Sequence, residues 1–289
     1  MKTLNVIGAG RVGRTLAHLL HHNQVFAIEG VLDGTAAGAR AAAGFIGAGA
    51  PAETIDLMRP SDLWMVTTPD RRIADVCAKL VAAGLLRAGD VVFHCSGALA
   101  SSELESAAAA GAHVASVHPL KTFAAPTDAI RTFPGTPCVA EGDSAALEVL
   151  VPAFESIGGR SLKIESGQKT LYHAACVLVS NDLVALVETG LRCYERAGIA
   201  REAASEMIDP IVRETVDNVF RSGTVHALTG PVARGDDLVV TRHLEALGAP
   251  DAQIAAVYRA LGRVAVELSR EQGHAGDEAL ARIEALLGR

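Results

Sequence analysis

Short apolar runs alternate with amphipathic segments over the first half of the chain. Residues 4–7, 63–67 and 91–95 have the length and the apolar content of buried strands. Between such runs, apolar residues recur at helical spacing, as they do in residues 11–22. This alternation predicts a doubly wound α/β domain, a mostly parallel sheet with helices on both faces. Further strands are predicted near residues 25–32, 113–117, 138–140 and 161–164, and further helices near 35–43, 73–81 and 144–157.

The pattern changes after Ser166, because only helical spacing is found from there to the end of the chain. We therefore predict an α/β domain over residues 1–165 and an all-helical domain over residues 166–289. The helical domain begins with one long helix. The predicted helices cover residues 167–197, 201–221, 236–247, 251–272 and 276–287.

Composition narrows the classes of protein that fit. Of the 289 residues, 49% are hydrophobic and 20% are charged, which is typical of a folded globular protein. The net charge of −7, without any basic run, makes nucleic acid an unexpected partner. Five scattered cysteines without a C-x-x-C pair indicate neither a disulfide framework nor a metal site. No leader is recognised, and residues 180–182 interrupt the most apolar helix, so we expect a cytoplasmic protein without a membrane partner.

A glycine motif follows the first strand directly. Gly8, Gly10 and Gly13 spell G-x-G-x-x-G between a strand and a helix, which is typical of a turn that binds the pyrophosphate of a dinucleotide. About 20 residues further on, Asp33 ends the second strand, where an acidic side chain can bind the adenosine ribose. A glycine-rich turn of another α/β protein is the alternative. The predicted cofactor-binding residues are Gly8, Gly10, Arg11, Val12, Gly13, Asp33, Thr68, Pro69 and Ser96.

Several polar side chains follow other predicted strands, at the sheet edge where ligands of open parallel sheets bind. His118 is the best-placed imidazole to exchange a proton with a substrate during hydride transfer. Ser96 or Lys121 would hold the substrate oxygen. The alternative for His118 is a histidine that caps a loop. For Ser96 it is a local turn hydrogen bond, and for Lys121 a solvated loop lysine. We expect His94, within an apolar strand, to be a core histidine.

A polar stripe follows the long helix. Lys169, His173, Cys176 and Ser180 lie within roughly 60° of one another on a helical wheel, with Asn181 beside them. An unpaired ammonium is costly to bury, so this stripe is expected to face a cleft between the domains. Solvent or a subunit interface is the alternative. The predicted catalytic residues are His118, Lys169, His173 and Ser96.

Residues 228–236 form a predicted loop with further candidate residues. Its Gly-Pro and Gly-Asp pairs predict a fixed connection between helices. Asp236 is a plausible N-cap of the next helix. Arg234 is a candidate to clamp a carboxylate, with a structural salt bridge as the alternative.

With these motifs the chain resembles two-domain oxidoreductases that join a Rossmann-like domain to a helical domain of uncharacterised function. They are relatives of ketopantoate reductase, pyrroline-5-carboxylate reductase and the β-hydroxyacid dehydrogenases. The resemblance implies a helical domain like the C-terminal domain of 6-phosphogluconate dehydrogenase. It is carried by GAGRVG (8–13), TTPD (67–70), HCSGAL (94–99), SVHPLKTF (116–123), KTLYHAACVLVSN (169–181) and LTGPVARGD (228–236).

The resemblance also implies roles for single residues. In β-hydroxyacid dehydrogenases a helix lysine and an asparagine four residues later do the acid/base work. Lys169 matches that lysine, but His173 stands in place of the asparagine. His118 is similar to the substrate-binding histidine of prephenate dehydrogenases. Asp33 favours NAD over NADP, although Arg11 and Arg40 offer positive charge.

Two functions follow from these observations. The first is an NAD(P)-dependent oxidoreductase that transfers a hydride to or from a small keto/hydroxy acid or imino acid in the interdomain cleft. The second is a non-catalytic sensor or scaffold that binds NAD(P). The apolar helices and the habit of the family predict a homodimer.

Overall fold

The computed structural model describes residues 1–248 and 252–288. Its sheet has eight strands in the order β3-β2-β1-β4-β5-β6-β7-β8. The reversal of strand order next to β1 is the topology that creates a ligand crevice at the carboxyl ends of the strands. The strands are β1 (Thr3–Ile7), β2 (Ala27–Leu32), β3 (Ala50–Ala52), β4 (Leu63–Val66), β5 (Val91–His94), β6 (His113–Pro119), β7 (Pro137–Gly142) and β8 (Arg160–Lys163).

The predicted mostly parallel sheet is confirmed, with one antiparallel pair, β6 and β7. The strand β6 is longer than predicted, since His118 and Pro119 pair with Val139 and Cys138 of β7. His118 is therefore a residue of the sheet and does not lie in the loop that follows it. The pairing with β7, which is distant in sequence, extends the strand past the apolar run that predicted it.

Helices cover both faces of the sheet, and two apolar cores result. Alternate residues of a strand point to opposite faces, so Met65 and Phe93 join one core while Trp64 and Val66 join the other. Each fully buried apolar side chain of this kind contributes about 2 kcal/mol to folding. The helices of this part are α1 (Arg11–His22), α2 (Ala36–Ile46), α3 (Ile73–Ala82), α4 (Glu105–Ala109), α5 (Pro126–Arg131) and α6 (Ser144–Ser156).

All described elements after β8 are helical, as predicted. Asp236 caps the N-terminus of α10, because its carboxylate accepts a hydrogen bond from the Val239 amide at 3.1 Å. The predicted loop 228–236 contains a one-turn helix, and the predicted helix start at Asp251 lies outside the described residues. The helices are α7 (Lys169–Arg196), α8 (Arg201–Ala227), α9 (Gly230–Ala233), α10 (Asp237–Leu247), α11 (Ala252–Gln272) and α12 (Asp277–Leu287).

The chain forms two compact units, Met1–Ser180 and Asn181–Arg289. The first three turns of α7 belong to the unit that contains the sheet, although the last strand ends at Lys163. The second unit has apolar clusters of its own, one of them around Val240, Leu280 and Ile283.

One described helix, Ser166–Arg196, is long and apolar enough to cross a membrane by length and composition, with a mean hydropathy of 1.5 in its most apolar window. The expectation that Ser180, Asn181 and Asp182 exclude such a helix is wrong by this criterion. Only 6% of that window is buried within the chain. One helix of this kind does not by itself indicate a membrane, since the core helix of a soluble protein meets the same criterion.

Candidate functional site

The glycine turn after β1 has the backbone geometry that its sequence predicts. Gly8 has a φ of +90°, and its amide donates to the Leu32 carbonyl at 2.8 Å. The Thr67 hydroxyl donates to the Gly8 carbonyl at 2.7 Å. A Cβ at Gly13 would stand 2.4 Å from Thr67 Oγ1 and 2.5 Å from Gly8 O. Gly8 and Gly13 are therefore required by the turn and by the packing of α1 against it.

Gly10 differs from its two neighbours in the motif, because a Cβ there would meet no heavy atom within 4 Å. Gly10 is the N-cap residue of α1, and it provides no side-chain hydrogen bond to the first turn. The amides that begin α1, Arg11 and Val12 among them, have no acceptor within the helix, and the positive end of the helix dipole lies at this terminus. These features fit a pyrophosphate group.

A cavity of about 440 Å³ adjoins this turn. It brings together five predicted cofactor residues: Gly8, Gly10, Asp33, Thr68 and Pro69. Three of the other predicted residues, Arg11, Val12 and Gly13, do not line it. Both acidic and basic groups are present, and the charged side chains that line the cavity are Asp33, Glu53, Arg71, Arg72 and Lys79.

Two details of the cavity wall fit a ribose. Asp33 Oδ2 lies beside the first turn of α2, so close that a Cβ at Gly38 would stand 2.2 Å from it. The buried Thr68 hydroxyl has no hydrogen-bond partner among the described residues. A carboxylate after β2 and a hydroxyl after β4, the strands on either side of β1, are suitable partners for sugar hydroxyls.

Ser96 closes the turn that follows β5. Its hydroxyl donates to Asp70 Oδ2 at 2.9 Å and accepts from the amides of Ala98 and Leu99 at 3.2 and 3.0 Å. The side chain is 7% exposed. Since these contacts use the donor and both acceptor positions of the hydroxyl, they favour a structural role for Ser96 over a contact to substrate.

Two predicted catalytic residues meet around Gly97, directly after Ser96. A Cβ at Gly97 would stand 2.5 Å from His173 Cδ2 and 3.0 Å from His118 Nε2. The two imidazole rings lie 6.1 Å apart, centre to centre. His118 comes from β6 and His173 from α7, and both belong to the unit that contains the sheet.

Lys169, the third member of the predicted set, is buried with 1% of its surface exposed. Its ammonium donates to Ser116 Oγ at 2.9 Å, and Ser116 Oγ donates to the Ser96 carbonyl at 3.3 Å. This chain of contacts connects Lys169 to the loop after β5. The polar stripe of α7 thus begins inside the protein and does not face solvent at Lys169.

Tyr172 and Glu141 belong to the same network, although sequence reasoning missed them. Tyr172 Oη lies 2.8 Å from His118 Nδ1, and the Lys169 ammonium lies 5.9 Å from the centre of the tyrosine ring. Glu141 is 1% exposed on β7 and accepts from the amide and the hydroxyl of Ser101 and from the hydroxyl of Ser166. Two features of the sequence could have identified them. Tyr172 lies at helical spacing from Lys169, and Glu141 is an acidic residue within an apolar strand.

Burial controls the protonation of the cluster. It lowers the pKa of Lys169, against the opposing effect of the Glu141 carboxylate. Burial also lowers the pKa of His118 to about 4, with further contributions from the charges of Lys169 and His173. His118 is therefore neutral at pH 7, and Lys169 holds its proton less tightly than an exposed lysine.

Other candidates have ordinary structural contacts. His94 is a core histidine, as expected, with the Ala100 carbonyl 3.0 Å from its Nε2. The Lys121 ammonium donates to the Thr132 carbonyl at 2.9 Å, at the end of α5. Among the residues that the structure describes, no group of three or more His, Cys, Asp or Glu side chains is arranged to hold a metal ion.

Comparison with known proteins agrees with this architecture. Residues 2–119 match the family model of a Rossmann-like domain, and residues 136–265 match that of a domain of unknown function, DUF2520. The chain thus combines these two domains in this order. No curated protein matches it.

Solved structures share the fold over 93% or more of this chain. The protein TM1727 from Thermotoga maritima is 27% identical, with a TM-score of 0.75 over 93% of this chain and 99% of its own. An imine reductase variant from Myxococcus stipitatus, in complex with NAD+, is 19% identical, with a TM-score of 0.65 over 98% and 99%. A pyrroline-5-carboxylate reductase from Coxiella burnetii is 12% identical, with a TM-score of 0.58 over 99% and 97%. These structural neighbours include nicotinamide-dependent reductases.

Proposed function

We propose that this protein is an NAD(P)-dependent oxidoreductase acting on a small keto/hydroxy acid or imino acid. The observation that carries the proposal is the meeting of His118 and His173 around Gly97, with Lys169 connected to the same loop through Ser116. Gly97 follows β5, and the glycine turn follows β1. Both strands are parallel members of one sheet, so both sites lie at its carboxyl edge.

The chemistry assigned to the cluster follows from its protonation. A bound, reduced nicotinamide supplies the hydride that reduces the substrate carbon. The Lys169 ammonium, with its lowered pKa, is suited to give a proton to the substrate oxygen or nitrogen. Ser116 orients that ammonium through the 2.9 Å contact, and neutral His118 binds the same substrate atom.

For the cofactor we propose NAD over NADP. Asp33 and Glu53 line the same cavity and would repel a 2′-phosphate. Of the basic groups that line the cavity, Arg72 and Lys79 both pair with Asp75, at 3.6 and 3.0 Å. These pairs are exposed, so they limit the positive charge offered to a phosphate only modestly.

The proposal is tested by the consumption of NADH and NADPH over a panel of keto acids and imino acids. His118→Ala and Lys169→Ala are each expected to lower turnover at least tenfold while cofactor affinity stays unchanged. Lys121→Ala is the matched control, since the ammonium of this lysine donates to the Thr132 carbonyl at the end of α5. Unchanged turnover in both site variants would refute the assignment. Cofactor binding without turnover of any substrate would favour the sensor.

We also propose that a second copy of the chain covers the apolar side of α7. Leu178 and Val184 of α7 are 65% and 71% exposed, and Phe220 of α8 is 87% exposed. Exposed apolar surface of this extent marks an interaction site. Light scattering at micromolar concentration should give the mass of a dimer, and Val184→Glu should shift it toward the monomer. A monomeric mass for the unaltered chain would contradict the proposal, as would its retention on lipid vesicles.

A further inference from the structure

Tyr172 is a residue of the candidate site that the proposed function leaves without a role. Its hydroxyl lies 2.8 Å from His118 Nδ1, and the two rings meet edge to face with centres 5.8 Å apart. Tyr172 follows Lys169 by three residues on α7, so the two side chains lie on neighbouring positions of the same helical face. The geometry therefore couples Tyr172 to His118 and places it beside Lys169.

The contact admits two arrangements of protons. Either the phenol donates to Nδ1, so that the imidazole proton is on Nε2, or Nδ1–H donates to the phenol oxygen and Nε2 is bare. A neutral imidazole has one N–H, so the choice decides whether His118 offers the substrate a donor or an acceptor. Burial and the Lys169 charge keep His118 neutral, which makes the choice binary.

The surroundings favour the phenol as donor. Burial, followed by a hydrogen bond with the Cys176 thiol, raises the pKa of Tyr172, so the phenol keeps its proton. A thiol is a weak acceptor, whereas an imidazole nitrogen is a strong one. The phenol proton is therefore better used toward His118 Nδ1 than toward Cys176.

The opposite nitrogen of His118 faces the site. His118 Nε2 has no hydrogen bond from any described residue, and it lies 3.0 Å from the position that a Cβ of Gly97 would occupy. The missing Cβ of Gly97 leaves room for the His118 and His173 rings, so a proton on Nε2 would lie beside Gly97. A neutral imidazole N–H in this place polarises a substrate carbonyl or imine by hydrogen bonding, and the proton transfer is left to Lys169.

We propose that Tyr172 is a positioning residue that holds His118 in the Nε2–H tautomer, so that His118 serves the reaction as a neutral hydrogen-bond donor. The kinetic part of this inference rests on the proposed oxidoreductase function. The tautomer itself does not, because it is a property of the resting protein.

The chain supplies a matched control for the test. In the second unit, Tyr258 Oη lies 2.9 Å from His243 Nδ1, and these rings are also 5.8 Å apart. Tyr258→Phe removes the same kind of phenol–imidazole contact as Tyr172→Phe, between two residues that both belong to the second unit. Any general effect of losing a tyrosine hydroxyl will therefore be seen in both variants.

The experiment is a two-bond ¹H–¹⁵N correlation spectrum of protein labelled at its histidine ring nitrogens, at pH 7 without cofactor. The His118 signals are assigned by their loss in His118→Asn. We expect the unaltered protein to have a bare, hydrogen-bonded Nδ1 and a protonated Nε2 at His118. In Tyr172→Phe the Nδ1 signal should lose the shift of its hydrogen bond and both tautomers should appear. Tyr258→Phe should change only the His243 signals.

Kinetics complete the test. Tyr172→Phe is expected to lower kcat about tenfold, with the KM for the cofactor unchanged, while Tyr258→Phe leaves both constants unchanged. A protonated Nδ1 at His118 in the unaltered protein would overturn the inference. His118 signals identical in Tyr172→Phe and the unaltered protein would do so too. If no substrate is turned over, the oxidoreductase proposal fails, and the spectrum still decides the tautomer.

Discussion

Removing the Glu141 carboxylate is expected to destabilise the unit that contains the sheet. Glu141 lies on β7, 1% exposed, and accepts from the Ser101 amide at 2.7 Å and from its hydroxyl at 2.8 Å. It also accepts from Ser166, just before the helix that holds Lys169. The carboxylate therefore fixes the loop after β5 and the start of α7 at the same time.

The magnitude differs between two substitutions. Glu141→Ala leaves the buried Ser101 amide without its acceptor and the buried Lys169 without its nearby negative charge, which should cost about 4 kcal/mol. Glu141→Gln keeps one carbonyl for the Ser101 amide, and both serine hydroxyls can rotate to accept from the new amide group. Only the charge is lost, at about 2 kcal/mol.

Urea unfolding followed by tryptophan fluorescence measures the stability of the part of the chain that contains Glu141, the unit Met1–Ser180. The chain has one tryptophan, Trp64, and it is fully buried on β4. Its emission therefore reports the unfolding of the sheet unit. Glu165→Gln is the matched control, because Glu165 is exposed and should change the free energy of unfolding by less than about 0.5 kcal/mol. If Glu141→Ala unfolds at the same urea concentration as the control, the structural role of this carboxylate is refuted.

Three further predictions concern stability and the cofactor. The unfolded chain binds a proton at His118 below pH 6.5 and the native protein only below about 4. Stability should therefore fall by roughly 3 kcal/mol between these values as the pH is lowered, and His118→Asn should flatten that slope in urea titrations. Gly13→Ala forces a Cβ to 2.4 Å from Thr67 Oγ1 and should lower the free energy of unfolding by about 2 kcal/mol or more. Gly10→Ala should unfold like the unaltered protein. Equal urea midpoints for the two variants would contradict the packing argument. Asp33→Ser should weaken NAD binding about tenfold and strengthen NADP binding, measured by nucleotide fluorescence, and an unchanged ratio of affinities would contradict the ribose assignment.

Much of the fold follows from local patterns in the sequence. The helix Arg11–His22 has the predicted bounds, since Leu16 and Leu20 recur at a spacing that only a helix places on one face. Asp236 was predicted as a cap from its place between a glycine and an apolar segment, and it accepts the expected amide hydrogen bond. Where one element's own residues determine its structure, the sequence was sufficient.

Elements that depend on a distant partner could not be predicted in this way. The strand Ala50–Ala52 has three residues and no apolar alternation, and its structure comes from pairing with β2. The extension of β6 through His118 and Pro119 similarly requires β7. A short or unpatterned segment gains its backbone hydrogen bonds from the neighbouring strand, which a local reading does not include.

The candidate site shows the same division. The sequence pointed to His118, Lys169 and His173 because strand ends and a polar stripe are local features. It did not show that Lys169 is buried, or that Tyr172 meets His118 across 54 positions of the chain. The three bonds of Glu141 to Ser101 and Ser166 also join residues that are far apart in sequence.

The central claim is that the glycine turn and the cavity beside it bind a nicotinamide dinucleotide. Isothermal titration calorimetry of the unaltered protein with NADH and NADPH tests it most directly, with Gly10→Ala as the comparison, since a Cβ at Gly10 meets only the space assigned to the pyrophosphate. We predict saturable heat with NADH for the unaltered protein and binding at least about tenfold weaker for Gly10→Ala. The absence of heat with either coenzyme, in a protein whose Trp64 emission shows it to be folded, would contradict the claim.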